Sequence, residues 1–201
     1  KKAIYNPPYT RSSSTAESRE SGFITPYAGV VYDLNDIHSV YASYTTIYKP
    51  QALREQNGRN LEPREGDNYE VGLKSEFFDG RVNTAIALYE IKQDNLGVPT
   101  GETVEGTVRE SAYRAVAGAK TRGIDMEIFG EVLPDWNVSA SYSHSVTKDA
   151  DHERIRTEAP ANLIKLWTTY RLQGGLNPLT IGGGLNWQSG MSLTTSQGKA
   201  T

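Results

Sequence analysis

Residues capable of chemistry are few in this chain and they do not converge. Asp149, Asp151, His152 and Glu153 crowd one short stretch; oxygen-rich loops of this kind suit hard cations such as Ca²⁺, and with His152 the set has the groups of a metal or protease site. A solvated charge run is the commoner use of such a cluster. His38, His144 and His152 share no metal-ligand spacing, and the serines at 139, 141, 143 and 145 form no readable Ser/His/Asp arrangement. Gly182-Gly183-Gly184 lies in a strand-like stretch with no helix after it, so it is no phosphate loop; close packing between strands accounts for it better. The absence of cysteine excludes a disulfide scaffold and a thiolate metal site. A net charge of -3 gives no basic footprint for nucleic acid.

The informative pattern is longer than any of these clusters. From Trp136 to Thr147 the residues Trp136, Val138, Ala140, Tyr142, His144 and Val146 alternate without a break with Asn137, Ser139, Ser141, Ser143, Ser145 and Thr147. Successive strand side chains point to opposite faces, so one face of this strand meets an apolar medium and the other a wet one. Soluble strands run about 5 or 6 residues, whereas a tilted strand crossing a bilayer needs about 9 to 11. Mean hydropathy is -0.55 and 22% of residues are charged, with no apolar run of the roughly 18 residues that a membrane helix needs. That excludes a helical membrane protein but not a barrel, in which only alternate residues meet lipid.

The same periodicity predicts eight long strands, near Phe23–Tyr32, Ser39–Tyr48, Asn68–Phe78, Arg81–Gln93, Ala119–Gly130, Asp135–Thr147, Ala161–Leu172 and Pro178–Gln188. Short turns are expected at Asp33-Leu34-Asn35-Asp36, Asp79-Gly80, Leu133-Pro134-Asp135 and Gly174-Gly175-Leu176-Asn177, alternating with long polar loops over Lys49–Asp67, Asp94–Gly118 and Lys148–Pro160. Outer-membrane barrels have this asymmetry, with short periplasmic turns and longer extracellular loops. The expected lipid face holds Tyr69, Val71, Leu73 and Phe77, then Ile124, Met126 and Ile128, Val138 and Tyr142, and Leu179, Ile181, Leu185 and Trp187. The Arg81–Gln93 and Ala161–Leu172 segments alternate less cleanly and their faces stay open. Tyr32, Tyr44, Tyr48, Trp136 and Trp187 fall near strand ends, where amphipathic rings suit the headgroup level. Core aromatics of a β-sandwich are the alternative use.

Six collinear strings carry a resemblance. Thr25-Pro26-Tyr27-Ala28-Gly29-Val30-Val31-Tyr32-Asp33-Leu34 with Ser39-Val40-Tyr41-Ala42-Ser43-Tyr44-Thr45-Thr46-Ile47-Tyr48-Lys49-Pro50-Gln51 is followed by Leu61-Glu62-Pro63 with Gly66-Asp67-Asn68-Tyr69-Glu70-Val71-Gly72-Leu73-Lys74. Ile91-Lys92-Gln93-Asp94-Asn95, Arg122-Gly123-Ile124-Asp125-Met126-Glu127, Leu166-Trp167-Thr168-Thr169-Tyr170-Arg171-Leu172 and Gly182-Gly183-Gly184-Leu185-Asn186-Trp187-Gln188 complete the series. Over Gly22 to Gln188 the chain resembles TonB-dependent ferric-siderophore receptors, and its wording is most similar to the receptors for hydroxamate-type siderophores such as coprogen, alcaligin and ferric pyoverdine.

The resemblance implies an all-β, antiparallel transmembrane barrel segment of about eight strands, out of about 22 closed around a plug. The whole of residues 1–201 then belongs to the barrel domain, with the plug, the TonB box and the terminal strands outside this sequence and Lys1–Ser21 trailing from an extracellular loop. It implies a bacterial outer-membrane receptor and active transporter for a ferric siderophore, energised by the TonB complex through the plug. No enzyme activity, cofactor, resident metal or nucleic-acid partner is implied; the Fe³⁺ chelate is cargo and outer-membrane lipid the surrounding partner. Ligand contacts are then expected where strands enter long loops, at Tyr48 and Gln51, at Tyr113 and Arg114, and at Trp187 and Gln188. Flat rings suit an organic chelate and an arginine complements an anionic one. Two other classes stay open: a small outer-membrane barrel hydrolase with a rim site in the 148–160 loop, and a carbohydrate-binding β-sandwich.

Overall fold

The computed structural model describes residues 24–155, 159–195 and 198–200. Its strands are β1 (Tyr27–Asp33), β2 (His38–Lys49), β3 (Arg64–Phe77), β4 (Val82–Asp94), β5 (Leu96–Thr103), β6 (Ser111–Val116), β7 (Ala119–Leu133), β8 (Trp136–Lys148), β9 (Arg154–Ile155), β10 (Asn162–Arg171), β11 (Thr180–Gln188), β12 (Leu193–Thr195) and β13 (Gly198–Ala200). One antiparallel sheet runs β1-β2-β3-β4-β7-β8-β10-β11, with the short β9 added beside β8. This path is open, with β1 and β11 at its two ends rather than paired with each other. No second large sheet packs on it among the described residues, which removes the sandwich, and the open path does not make a closed eight-stranded barrel.

All eight expected strands are present, with shifted ends. The first begins at Tyr27, directly after Pro26, which has no N–H to give to a ladder; the expected start at Phe23 and the segment before it lie outside the described residues. β3 begins at Arg64, not Asn68, because Lys49 pairs with Arg64 and prolongs the β2–β3 ladder. The Asp79-Gly80 turn spans Phe78 to Arg81, and Phe78, Asp79 and Gly80 all take positive φ. The largest difference lies in Asp94–Gly118. It is not a polar loop but carries the β5–β6 hairpin.

Register sorts the side chains without ambiguity. Tyr32, Val40, Leu73, Ile86, Met126, Tyr142, Ile164 and Trp187 stand opposite one another in one unbroken row across eight strands. A neighbouring row on the same face holds Val30, Ala42, Val71, Leu88, Ile124 and His144. The other face carries Lys74, Glu127, Ser141 and Lys165 in one row, and Gly72, Ala87, Asp125 and Ser143 in the next. The faces of β4 and β10, unreadable from sequence, follow: Ile86, Leu88, Ile164 and Leu166 join the apolar side. Charge in a bilayer is expensive, so the apolar rows face lipid and the charged rows the lumen.

The apolar band crosses these rows obliquely. Its turn-side aromatic edge passes through Tyr32 on β1 and Trp136 on β8, and Trp136 lies six residues below the residue in register with Tyr32. Six residues are about 20 Å along a strand and five strand gaps about 24 Å, a tilt of about 40°, as membrane barrels require. Between Tyr69 and Phe77 on β3 the band is then about 21 Å tall, close to the thickness of a barrel's apolar belt.

Wall packing uses rings set on glycines. Tyr41, Tyr89 and Trp167 are the direct cross-strand partners of Gly72, Gly123 and Gly184. A Cβ on Gly72 would sit 2.3 Å from the Tyr41 ring, one on Gly123 2.3 Å from Tyr89, and one on Gly184 2.7 Å from Trp167. On the lumen face, each glycine leaves room for a ring to lie flat along the wall. Of the Gly182–Gly184 run, Gly182 and Gly184 are crowded as close packing demands, whereas Gly183 has open space.

Two outcomes check this layout in the full-length protein. Met126→Lys should cost about 2 to 4 kcal/mol in lipid-vesicle unfolding, and Ser143→Lys on the opposite face should cost far less; equal costs would contradict the face assignment. Gly123→Ala should destabilise by about 1 to 3 kcal/mol, because a backbone oxygen, that of His144, also lies 2.7 Å from the added Cβ.

Candidate ligand-binding mouth

Wall strands bury almost nothing, and nearly all the buried apolar side chains of the described residues gather above them at the long-loop end. Leu61, Leu96, Val104, Ala112, Val116, Ala119 and Ile155 are each at most 8% exposed, and Leu96, Val116, Ala119 and Ile155 form one contiguous cluster with Val98 against it. The β5–β6 hairpin builds this platform and the first long loop clasps it. Leu61 N–H donates to Leu53 O (2.8 Å) within that loop, and from the hairpin Tyr113 N–H donates to Arg54 O (2.8 Å) and Glu105 N–H to Gln56 O (2.8 Å). Arg54 Nε reaches Glu110 Oε1 at 3.6 Å. At the base, Asp94 Oδ1 accepts from Gly118 N–H (2.6 Å) and so closes the hairpin's two stems.

The six expected ligand residues do not share one pocket. Gln51 is a brace: its Nε2 donates to Glu62 O (2.6 Å) and Asn95 O (2.7 Å), joining the first loop to the second. Tyr113 and Arg114 are neighbours on β6 and therefore point to opposite sides of the hairpin, with Arg114 exposed. These three belong to the platform. Tyr48 shares the parity of Tyr44 and stands on the outward side of β2, above the apolar band. Trp187 pairs with Ile164 on the lipid face, and Gln188, one residue on, turns to the lumen.

Lumen-side groups that alternation alone did not single out stand below the platform. Tyr41 donates to Glu70 Oε1 at 2.6 Å with the Lys74 ammonium 5.2 Å over its ring, and the Thr121 and Thr147 hydroxyls meet at 2.8 Å. Asn68 Oδ1 is buried with no hydrogen-bond partner. Their signal in the sequence was their parity, opposite to the apolar residues of the same strands.

In the acidic cluster at 149–153 the Asp149 carboxylate is spent on the local backbone. Asp149 Oδ1 accepts from the N–H groups of Asp151 (3.1 Å) and Glu153 (3.0 Å), and His152 has a positive φ in the same turn. Among the described residues no three His, Asp or Glu groups are placed to hold a metal ion. His38 bonds Ser75 Oγ (2.7 Å) and His144 bonds Asn162 Oδ1 (2.8 Å), both within the wall.

Residues 5–201 match the family described as TonB dependent receptor-like, beta-barrel. The chain belongs to this family. Like other TonB-dependent receptor barrels, it is an outer-membrane β-barrel wall. It is 51% identical over 174 residues to the ferric-pyoverdine 358 receptor of Pseudomonas putida, covering 87% of this chain and 21% of that protein. With the ferripyoverdine receptor of Pseudomonas aeruginosa it shares 43% over 180 residues, 85% of this chain and 21% of that protein. Among solved structures, the alcaligin outer-membrane receptor FauA of Bordetella pertussis superposes with a TM-score of 0.64 at 48% identity, over 87% of this chain and 30% of that one. The P. aeruginosa ferripyoverdine receptor bound to ferripyoverdine gives a TM-score of 0.70 at 42% identity, over 87% and 24%. The chain thus spans about a fifth of the length of the curated relatives it matches. These are receptors and transporters rather than enzymes, and the hydrolase and sandwich readings have no support among them.

The platform's core should be separable from the wall. In the full-length receptor Leu96→Ala should cost the platform about 2 to 5 kcal/mol, seen as new protease cleavage within 94–118 while the barrel keeps its heat-modifiable mobility on gels. Unchanged protease resistance would contradict a packed platform.

Proposed function

We propose that the full-length protein is the TonB-energised outer-membrane receptor and transporter for a ferric siderophore of the hydroxamate-bearing class. The observation that carries this reading is the 51% identity to a receptor named for ferric pyoverdine across 87% of this chain. Residues 1–201 supply barrel wall, while the plug that meets the TonB complex and the remaining strands come from elsewhere in the same protein. The chain's part in recognition is physical. Tight capture of a scarce ligand needs a mouth organised before binding, and the clasped β5–β6 platform provides a surface whose ordering is already complete.

On this reading the exposed guanidinium of Arg114 meets an anionic chelate and the ring of Tyr113 its organic shell, with Gln51 holding the loops in register and Gln188 facing the lumen. Tyr48 and Trp187, on the outward side, serve the membrane interface. Arg114→Ala and Tyr113→Ala should therefore each weaken binding of ferric pyoverdine or ferric alcaligin about tenfold, near 1.4 kcal/mol, while Tyr48→Ala with Trp187→Ala leaves it unchanged. Growth of a receptor-deletion strain on those chelates as sole iron source, restored by the gene only where TonB is present, tests the transport reading. Restoration without TonB, or with neither chelate, would overturn it.

A further inference from the structure

Three segments far apart in the chain meet in one knot of carboxamides at the root of the β5–β6 hairpin. Gln51 Nε2 donates to Glu62 O (2.6 Å) and to Asn95 O (2.7 Å). Asn95 Nδ2 in turn donates to Pro63 O (3.0 Å). Both side chains are half-buried, and a hydrogen bond withdrawn from water is stronger than an exposed one. The knot needs neutral amides: each nitrogen gives N–H groups to carbonyl oxygens, which a carboxylate of the same shape cannot do.

The knot sits on a hinge. The β4–β7 ladder ends at Gln93 opposite Ala119, and the β5–β6 hairpin begins at Leu96 opposite Val116. Two residues on each stem join them, and one on each stem has a left-handed backbone, Asn95 at φ 56° and Gly118 at φ 65°. Both stems therefore change direction at the same level, between two ladders that do not fix the angle. The hairpin leans inward from there. Its Leu96 and Val116 pack on Ala119 and Ile155, which stand on the lumen side, Ala119 by parity with Thr121 and Ile155 as register partner of Thr147. Gly97 lies flush against the first loop: a Cβ there would sit 2.4 Å from Leu53 Cδ1 and 3.4 Å from Gln51 Oε1.

We propose that Gln51 and Asn95 are positioning residues for ligand capture, fixing the angle at which the hairpin carries Tyr113 and Arg114 over the lumen; this rests on the siderophore-receptor reading above. Arg114 pairs with Val98, the third residue after Asn95, which is about 10 Å along the strand. A swing of about 10° at the hinge moves it about 1.7 Å, several times the roughly 0.5 Å within which a binding constellation must be held. Apolar contacts at the hairpin's root are non-directional and tolerate such a swing. Three directional N–H···O bonds do not.

The test uses the full-length receptor without other cysteines, spin-labelled at V108C, a 90% exposed position between β5 and β6, and at M126C in the wall. Wild type should give one narrow distance distribution. Q51E and N95D keep the side-chain shape but cannot donate. Each should shift or broaden the distribution by about 4 Å, the travel of the eight-residue β5 arm swung about 10°, while residues 94–118 keep their protease resistance. Affinity for ferric pyoverdine or ferric alcaligin should fall about tenfold or more in both. Added to Y113A/R114A, Q51E should cost less than about a further threefold, because a positioning residue acts through the groups it positions. Unchanged distances in Q51E and N95D, chelate affinity within about twofold of wild type, or a fully additive loss in the combined variant would each overturn the proposal. If a charged variant loses its protease resistance, Q51A and N95G replace it; N95G keeps the left-handed backbone and removes only the bond to Pro63 O. A wild type that binds neither chelate would sink the receptor reading, and the distances would still decide whether the knot sets the angle.

Discussion

A backbone inside a bilayer has no water to satisfy its N–H and C=O groups, and an unpaired group there costs several kcal/mol. Everything in the wall follows from that constraint. Strands must be long enough to cross, hence ladders of 12 to 15 residues in β2, β3, β4, β7 and β8, and each must have a neighbour on both sides. Here β1 and β11 each have one, so the wall is complete only when further strands continue it. With hydrogen bonding fixed by the ladder, side chains are left to sort by medium, and this produces rows of Val, Leu, Ile and Met on one face and Lys, Glu, Asp and Ser on the other.

The same constraint divides the molecule into two regimes of stability. In the wall, lipid replaces a core, and shape is held by ladder hydrogen bonds and by rings seated on glycines across strands. At the mouth, water returns and the hydrophobic effect with it, so the loops assemble a small core around Leu96, Val104 and Ala112. The recognition groups proposed above, Tyr113 and Arg114, stand on this second regime. A mouth built this way can change its surface residues without disturbing the wall beneath.

The wall was legible in the sequence because a period of two survives local irregularity: Trp136 to Thr147 announced its length and its two media, and the alternation of short turns with long loops its orientation. The faces of β4 and β10 were hidden by Glu90 and Lys92 on the outward side and by Tyr89, Ile91, Leu163 and Trp167 on the lumen side, which break alternation locally and which register resolves. The platform was not legible. Gly97, Pro99, Gly101 and Gly106 punctuate β5 and its turn like a loop, and the apolar positions that bury there, Leu96, Val104 and Val116, are too widely spaced to show a period. Nor was the division of the six mouth residues, since proximity to a loop says nothing about side. Parity does: Trp187 shares the face of the lipid-facing Leu185, and Tyr48 that of Tyr44.

The two-faced wall is the central claim, and the lack of cysteine in these 201 residues makes it directly measurable. Single cysteines placed in turn from Gly123 to Ile128 on β7 of the full-length receptor, spin-labelled in outer-membrane lipid, report collision with dissolved oxygen and with a water-soluble nickel chelate. Oxygen access should peak at positions 124, 126 and 128 and chelate access at 123, 125 and 127. The opposite phase, or no period of two, would contradict the account.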